Sequence, residues 1–221
     1  MDASKSQAQR ALSVLREMVV TNQLPPGSTH LEVELAEMLG MSRTPVREAA
    51  IILESRGLVE MRPRRGMRVL PVNVDDLREI YDILAALEPL AAQRLAERGL
   101  SDEEYQALDA EITGMERALA AEDREAWARH DELFHRHLVT FAGNRRVIEF
   151  TQNIEDQVQR ARMMTLHLRP PPYDSNSDHR ALLEAIRDKN TEEARVIHSQ
   201  HRARAGEMMV ELIRKHGLGP V

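Results

Sequence analysis

The chain has 221 residues, of which 42% are hydrophobic and 30% charged, as is typical of a globular protein of one or two domains. Aromatic residues make up only 3%, which favours helices over a β-sandwich or barrel. The absence of cysteine excludes disulfides, thiolate catalysis and cysteine-ligated metal sites. Because the sequence has neither a long apolar run nor an N-terminal apolar signal core, we expect a cytoplasmic protein without a membrane partner.

The net charge of −6 is distributed unevenly along the chain. Residues 1–70 carry a net charge of +2, and residues 71–221 carry −8. Within the first part, the segment 56–68 contains five arginines and a single acidic residue, Glu60. A local basic surface of this kind can bind phosphates although the whole chain is acidic. We therefore predict a basic domain at 1–70, a linker at 71–75 and an acidic domain at 76–221.

The first domain is predicted to contain three helices followed by a β-hairpin. The first helix runs from about Ser4 to Asn22. The second begins at Thr29, with Glu32 completing a capping box, and ends at Gly40. The third begins at Thr44-Pro45, a cap residue followed by proline, and ends at Gly57. Strands at 58–61 and 67–70 are joined by the basic turn 62–66. This order indicates a winged helix-turn-helix, and the alternative is a generic three-helix core with a hairpin.

The positions of the arginines favour the DNA-binding interpretation. Two of them flank the start of the third helix, the part of a recognition helix that enters the major groove. Guanidinium groups there match guanine edges or phosphates, and the turn of the hairpin adds further cations beside a flexible glycine. The candidate DNA-contacting residues are Arg43, Thr44, Arg47, Arg64, Arg65 and Gly66.

The second domain is predicted to be helical throughout, so the fold class is mainly α. Apolar spacing and cap residues predict helices over 76–98, 101–121, 124–141, 145–167, 177–188 and 191–216. Pro89 predicts a kink or a break in the first of them. Six consecutive helices indicate an antiparallel bundle.

Four residues of this bundle form a candidate metal site. Asp131 and His135 are four positions apart and share one helix face, while His179 and His201 lie on the last two helices. Three imidazoles and a carboxylate suit a divalent transition metal such as Zn²⁺ or Ni²⁺. The remaining histidines of the bundle are interpreted as solvated or capping residues. Because no HExxH, Gly-rich phosphate loop or GxSxG motif is present, we do not expect an enzyme, and a metal-dependent hydrolase is a remote alternative.

Several motifs resemble a known family. The string LAEMLGMSRTPVREA at 35–49, with LE at 53–54, GLV at 57–59 and RGMRV at 65–69, is similar to the winged-helix domain of the GntR family. The second domain resembles the FCD effector domain of the FadR subfamily, through LEPLA at 87–91, Asp131 with Phe134-His135, Gly143-Asn144, His179 with Ala185-Ile186, Ala194 and His201.

The resemblance implies a homodimeric transcription regulator that binds a near-palindromic DNA operator and responds to a small-molecule effector. It places Arg43, Arg47 and Arg65-Gly66 on DNA-contacting positions. It places the four candidate metal ligands on the metal positions of the metal-binding FCD subgroup, in which the metal commonly helps to hold a carboxylate effector. A regulator that senses the divalent metal directly is the alternative.

The sequence departs from the family pattern at two places. Leu84 stands where members often carry an arginine that pairs with an effector carboxylate, so Arg160 or Arg162 is predicted to replace it. Ile51 and Ile52 stand where polar or basic residues are usual, and at least one of them is expected to be exposed.

Overall fold

The computed structural model describes residues 6–219, which form nine helices and three short strands. The helices and strands, in chain order, are α1 (Gln7–Val20), β1 (Thr29–His30), α2 (Glu32–Leu39), α3 (Arg43–Ser55), β2 (Val59–Arg62), β3 (Gly66–Val69), α4 (Val74–Arg98), α5 (Asp102–Ala120), α6 (Arg124–Phe141), α7 (Arg145–Thr165), α8 (Tyr173–Arg187) and α9 (Thr191–Lys215). The mainly helical fold class and the winged helix-turn-helix are confirmed. The predicted start of the first helix, Ser4, lies outside the described residues.

The packing of the chain forms two compact units. The first unit is built on the chain up to Asn73 and also includes Asn153–Met164, the second half of α7. The second unit is built on Val74–Gln152 and Thr165–Gly217. The domain ranges predicted from the sequence stay predictions, and the packing adds that one helix contributes residues to both units.

Apolar faces of α1 and α3 form the core of the first unit. Leu15, Val19 and Leu53 have no exposed surface and belong to one cluster that also includes Leu35 of α2 and Met67 of β3. The spacing of these residues at helical intervals explains why α1 and α3 pack closely. Their outward faces are mostly polar and charged, with Val14 and Ile51 as exposed apolar exceptions.

The wing is a three-stranded antiparallel sheet in the order β1-β3-β2. β2 pairs with β3 in the register Val59–Val69 and Met61–Met67, close to the predicted hairpin. The sequence did not predict β1, which adds a third strand to the hairpin. Thr29 pairs with Arg68, and His30 pairs with Met67. The expectation that Thr29 caps a helix is therefore wrong, since its backbone joins the sheet.

Both helices of the helix-turn-helix begin at residues other than those expected. α2 begins at Glu32, and the carboxylate of Glu34 accepts a hydrogen bond from the N–H of Leu31 at 2.9 Å. α3 begins at Arg43, directly after Ser42, so Thr44 is not the cap and Pro45 lies in the first turn. The first turn lacks intrahelical acceptors for its N–H groups, which is why Pro45 is tolerated there.

The second unit is an all-helical bundle. α4 packs along α9, α5 packs along α6 and α8, and α8 packs along α9. The capping box at the start of α5 is confirmed, because the Ser101 hydroxyl accepts from the Glu104 N–H at 3.2 Å. α4 runs through Pro89 without the break that the sequence allowed. None of the helices within residues 6–219 combines the length and apolar character that crossing a bilayer requires.

Substitution of Gly66 tests whether the pairing of β1 with β3 constrains the wing. Its φ is +80°, and a Cβ added there collides with the carbonyl oxygen of His30 in β1. Gly27 has nearly the same φ, +81°, and among the described residues no atom comes within 4 Å of an added Cβ. We expect Gly27→Ala to lose about 1 kcal/mol of unfolding free energy through backbone strain alone. Gly66→Ala should lose at least about 1 kcal/mol more, because the β1–β3 pair must also move.

Urea unfolding of the two variants measures this difference. Equal losses for Gly27→Ala and Gly66→Ala would show that β1 does not constrain the wing.

Candidate functional site

The exposed face of α3 carries three of the residues predicted to contact DNA. Arg43, Thr44 and Arg47 are exposed, whereas Val46 and Ala49 on the opposite face are fully buried. The side chains of Arg43 and Arg47 are 69% and 67% exposed, one helical turn apart. The helix therefore presents a pair of guanidinium groups close to its N-terminus, where backbone N–H groups also favour an anion.

A carboxylate on α2 lies between these two arginines. Oε2 of Glu32 is 3.4 Å from Nη2 of Arg43, and Oε1 is 3.6 Å from Nε of Arg47. The Glu32 side chain is only 18% exposed, so its position is more restricted than theirs. Sequence reasoning did not identify Glu32 as part of this surface, because its partners lie on the next helix.

The turn of the wing presents the remaining predicted DNA contacts. Arg64 and Arg65 are exposed, and Arg64 takes a left-handed φ of +62° that positions the turn before Gly66. The expectation that one of the two isoleucines of α3 is exposed is confirmed by Ile51, which is 51% exposed. Nothing in the structure explains why that position is apolar.

The second unit brings the three predicted metal-ligating histidines together. His135 lies on α6, His179 on α8 and His201 on α9, and one ring nitrogen of each lies within 4.8 Å of the other two. Nε2 of His135 and Nε2 of His179 are 3.3 Å apart. All three side chains are buried, so the bundle rather than the solvent fixes their positions.

Asp131 joins this group as the sequence predicted. Its Oδ1 lies 3.6 Å from Nε2 of His135 and 3.7 Å from Nε2 of His179. The side chain of Asp131 is buried on the same face of α6 as His135, one turn away. The four residues thus offer one carboxylate oxygen and three imidazole nitrogens, a donor set that suits Zn²⁺ or Ni²⁺.

Burial disfavours the charged form of two of these imidazoles. It lowers the pKa of His179 well below its usual value, and the charge of His135 lowers it further. Burial likewise lowers the pKa of His201, assisted by His179. A neutral imidazole retains a nitrogen lone pair, which is the form that binds a metal.

Two carboxylates lie at the outer nitrogens of the cluster. Nδ1 of His201 is 3.1 Å from Oδ2 of Asp178, and Nδ1 of His135 is 3.2 Å from Oε2 of Glu88. A carboxylate at one ring nitrogen holds the proton there and directs the other nitrogen inward, as is common for metal-ligating histidines. For His201 this arrangement leaves Nε2 as the nitrogen available to an ion. Nδ1 of His135 makes no hydrogen bond within residues 6–219, and its Nε2 faces His179.

Sequence reasoning missed the centre of this polar interior, which is Glu88. Its Oε2 accepts from Nε2 of His198 at 2.8 Å and from Nε of Arg202 at 2.6 Å, and its Oε1 accepts from Nη2 of Arg202 at 2.5 Å. Burial alone raises the pKa of a carboxyl group, but the charges of Arg202 and then of His135 hold the pKa of Glu88 well below its usual value. His198, interpreted from sequence as solvated or capping, is fully buried.

His198 differs from the other three histidines in its hydrogen bonding. Because Nε2 donates to Glu88, the neutral ring carries its proton on that nitrogen. Burial lowers the pKa of His198 to about 4, although the hydrogen bond to Glu88 acts in the opposite direction. Glu88, His135 and His198 also form a geometric group that could hold an ion. The bidentate Arg202 contact competes with any metal for the Glu88 oxygens.

The two arginines predicted to bind an effector fall in the first compact unit, whereas the histidine cluster falls in the second. Arg160 is 2% exposed and donates from Nη1 to the carbonyl oxygen of Leu70, and burial lowers its pKa to about 10. Arg162 is 5% exposed. Their predicted role stays a prediction.

A winged helix-turn-helix followed by an all-helical unit with a polar interior is the architecture of a bacterial transcription regulator. Residues 7–69 match the family model described as bacterial regulatory proteins, gntR family, and residues 79–214 match the model of the FCD domain. The chain therefore belongs to the GntR family of transcription regulators and carries an FCD domain.

Relatives and solved structures agree with this membership. The chain is 30% identical over 183 residues to the HTH-type transcriptional regulator YdhC of Bacillus subtilis strain 168, covering 82% of this chain and 81% of the relative. It is 26% identical over 193 residues to the HTH-type transcriptional repressor RspR of Escherichia coli K12, covering 87% and 84%. The structure of E. coli McbR/YncC superimposes with a TM-score of 0.82 at 22% identity, covering 94% of this chain and 98% of that chain, a likeness of fold.

The Glu88–Arg202 pair can be tested by a double-mutant cycle. Glu88→Leu leaves the Arg202 guanidinium buried without its carboxylate, which should cost about 3–5 kcal/mol of unfolding free energy. Arg202→Leu should cost a similar amount for the opposite reason. The double variant Glu88→Leu/Arg202→Leu buries no unpaired charge, so it should lose less than either single variant.

Urea unfolding of the three variants measures the cycle. Losses that simply add in the double variant would mean that the two side chains contribute independently and that the ion pair is not the unit of stability.

Proposed function

We propose that this protein is a repressor whose operator affinity is controlled by a small organic acid bound at a divalent-metal centre. Asp131, His135, His179 and His201 hold the ion, which is Zn²⁺ or Ni²⁺. Two copies of the chain bind the two halves of a near-palindromic operator. The relative RspR is named a repressor, which supports this direction of regulation.

The observation that carries the proposal is the convergence of three buried imidazoles from three different helices. Polar groups are costly to bury without partners, so three imidazoles that face one another in a core need a compensating interaction. A divalent ion supplies it, and when bound it also offers a Lewis-acidic position to an oxygen of the effector. The carboxylate of Asp178 at Nδ1 of His201 then orients the ligating nitrogen of that ring.

The proposed dimer is supported by exposed apolar side chains of the second unit. Ile83 and Leu90 on α4 are 44% and 37% exposed, and Phe150 on α7 is 61% exposed. Ile83 and Leu90 are seven positions apart and share one face of α4, and an exposed apolar helix face favours association with a partner. Symmetric pairing of two chains gives the two recognition helices the spacing of a palindromic site.

The role of α3 is tested by Arg47→Ala, with an operator selected from a random DNA library. We expect a loss of about 1–3 kcal/mol for each half-site, while weak, salt-sensitive binding to unrelated DNA remains. Arg129→Ala on α6 removes the same charge from an exposed position outside α3 and the wing, so it is the control. Fluorescence anisotropy at two salt concentrations measures both affinities. Unchanged operator affinity in Arg47→Ala would contradict the assignment of α3 as the recognition helix.

The metal centre is tested by elemental analysis of the purified protein. We expect one Zn²⁺ or Ni²⁺ per chain, lost in His179→Gln and retained in His198→Gln. Both side chains are fully buried, so the second variant controls for disturbance of the core. Chelation should lower the Tm, because an ion bound only by the folded state stabilises it.

Retention of the ion in His179→Gln and its loss in His198→Gln would assign the metal to the Glu88 group instead. If added metal alone changes operator affinity across its physiological range, the protein is a direct metal sensor rather than an acid-responsive regulator.

A further inference from the structure

Arg202 on α9 is buried but only partly paired. A guanidinium has five N–H donors, and Glu88 accepts from two of its nitrogens, Nε and Nη2. Nη1 is also buried, and no acceptor among residues 6–219 lies within hydrogen-bond distance of it. The whole side chain is 2% exposed. Buried charged donors without an acceptor are rare in folded proteins, and each one calls for a ligand or a solvent partner.

Arg202 lies beside the histidine cluster. It directly follows His201 in α9, and its acceptor Glu88 also accepts from Nε2 of His198. Glu88, which holds Arg202, also lies 3.2 Å from Nδ1 of His135. The guanidinium and the proposed ion are thus neighbours within one polar interior.

The charges of that interior do not balance once an ion is bound. A divalent cation and Arg202 bring three positive charges, whereas Asp131 and Glu88 bring two negative ones. Asp178, the other carboxylate of the cluster, is already paired with Arg204 at 2.5 Å. Uncompensated charge in a buried site is unfavourable, so one further negative charge stabilises the loaded site.

The packing of α4 against α9 adds a second unpaired donor. The ring of Tyr81 lies against the backbone of Gly206, where an added Cβ would be 2.9 Å from Cβ and Cγ of the tyrosine. The Tyr81 hydroxyl is buried and has no hydrogen-bond partner among the described residues. Gly206 follows Arg202 by one helical turn, so both donors lie along the same helix pair.

We propose that Nη1 of Arg202 is the anion anchor of the effector site and binds one carboxylate of a small organic acid. The inference rests on the proposed function, since the acid is the effector held at the metal centre. Glu88 fixes one edge of the guanidinium and so directs the remaining donors toward the ligand. Arg202 thereby supplies the cation, and its pairing with Glu88 makes the site rigid before the ligand arrives.

The test uses the full-length protein loaded with Co²⁺, whose visible absorption reports its binding, and calorimetric titration with acetate, glycolate and succinate. Two variants remove the anchor. Arg202→Lys keeps a positive charge for Glu88 but loses the planar fork. Glu88→Leu/Arg202→Leu removes both charges and leaves the net charge unchanged. Arg195→Lys, the same substitution at a half-exposed position of α9, is the matched control.

We expect both anchor variants to bind Co²⁺ like the wild type and to bind the carboxylate about 10- to 100-fold more weakly, the effect of one charge-assisted hydrogen bond. Arg195→Lys should retain carboxylate binding. Affinities within twofold of the wild type in both anchor variants would overturn the inference and leave the metal centre standing. A wild-type protein that binds none of the three acids would also overturn the inference.

Failure of the proposed metal centre gives a different result. If the wild type takes up no Co²⁺, the metal centre is wrong, and the same titrations on metal-free protein decide the anchor by the same comparison. A carboxylate affinity that still depends on Arg202 supports the anchor without the metal.

Discussion

The carboxylate of Glu88 is the acceptor on which the polar interior of the second unit depends. Arg202 donates two hydrogen bonds to it, His198 donates a third, and His135 lies in contact with the same oxygen. Without Glu88, the buried guanidinium of Arg202 and the imidazole of His198, both on α9, would lose the carboxylate that accepts their hydrogen bonds. Because α4 carries Glu88 and packs along α9, this one side chain ties the longest helix pair of the unit together.

The residues of this polar cluster have two different roles. Glu88 compensates charge and fixes orientation, while the ring nitrogens that face one another from α6, α8 and α9 remain available to a ligand. Buried ion pairs contribute little net stability compared with apolar residues of similar size, but they do fix positions. A site whose ligands come from three helices benefits from that precision, because small shifts of a helix would separate the donors.

The local pattern of the chain was sufficient to predict most elements of the fold. The α5 capping box and the span of α6 follow from signals within a few residues, and the Asp131–His135 pair follows from helical periodicity. Thr29 was misread because pairing with Arg68, far along the chain, outweighed its preference for a helix cap. Glu88 and Arg202 are 114 residues apart, and no local signal marks them as partners. The packing of α4 along α9 had to be known first.

In the proposed role of α3 as the recognition helix, Glu32 affects how Arg43 and Arg47 bind DNA. In the free protein it lies between Arg43 and Arg47, so both guanidinium groups already have a shared anionic neighbour. Binding to a duplex is therefore an exchange of acceptors rather than the capture of two freely moving cations. A randomly placed phosphate offers little more than Glu32 does, whereas a guanine edge at the right position offers two aligned acceptors. On the proposed DNA-facing side, an acidic residue would weaken binding to all sequences and weaken it least at the correct one, which sharpens the choice between sites.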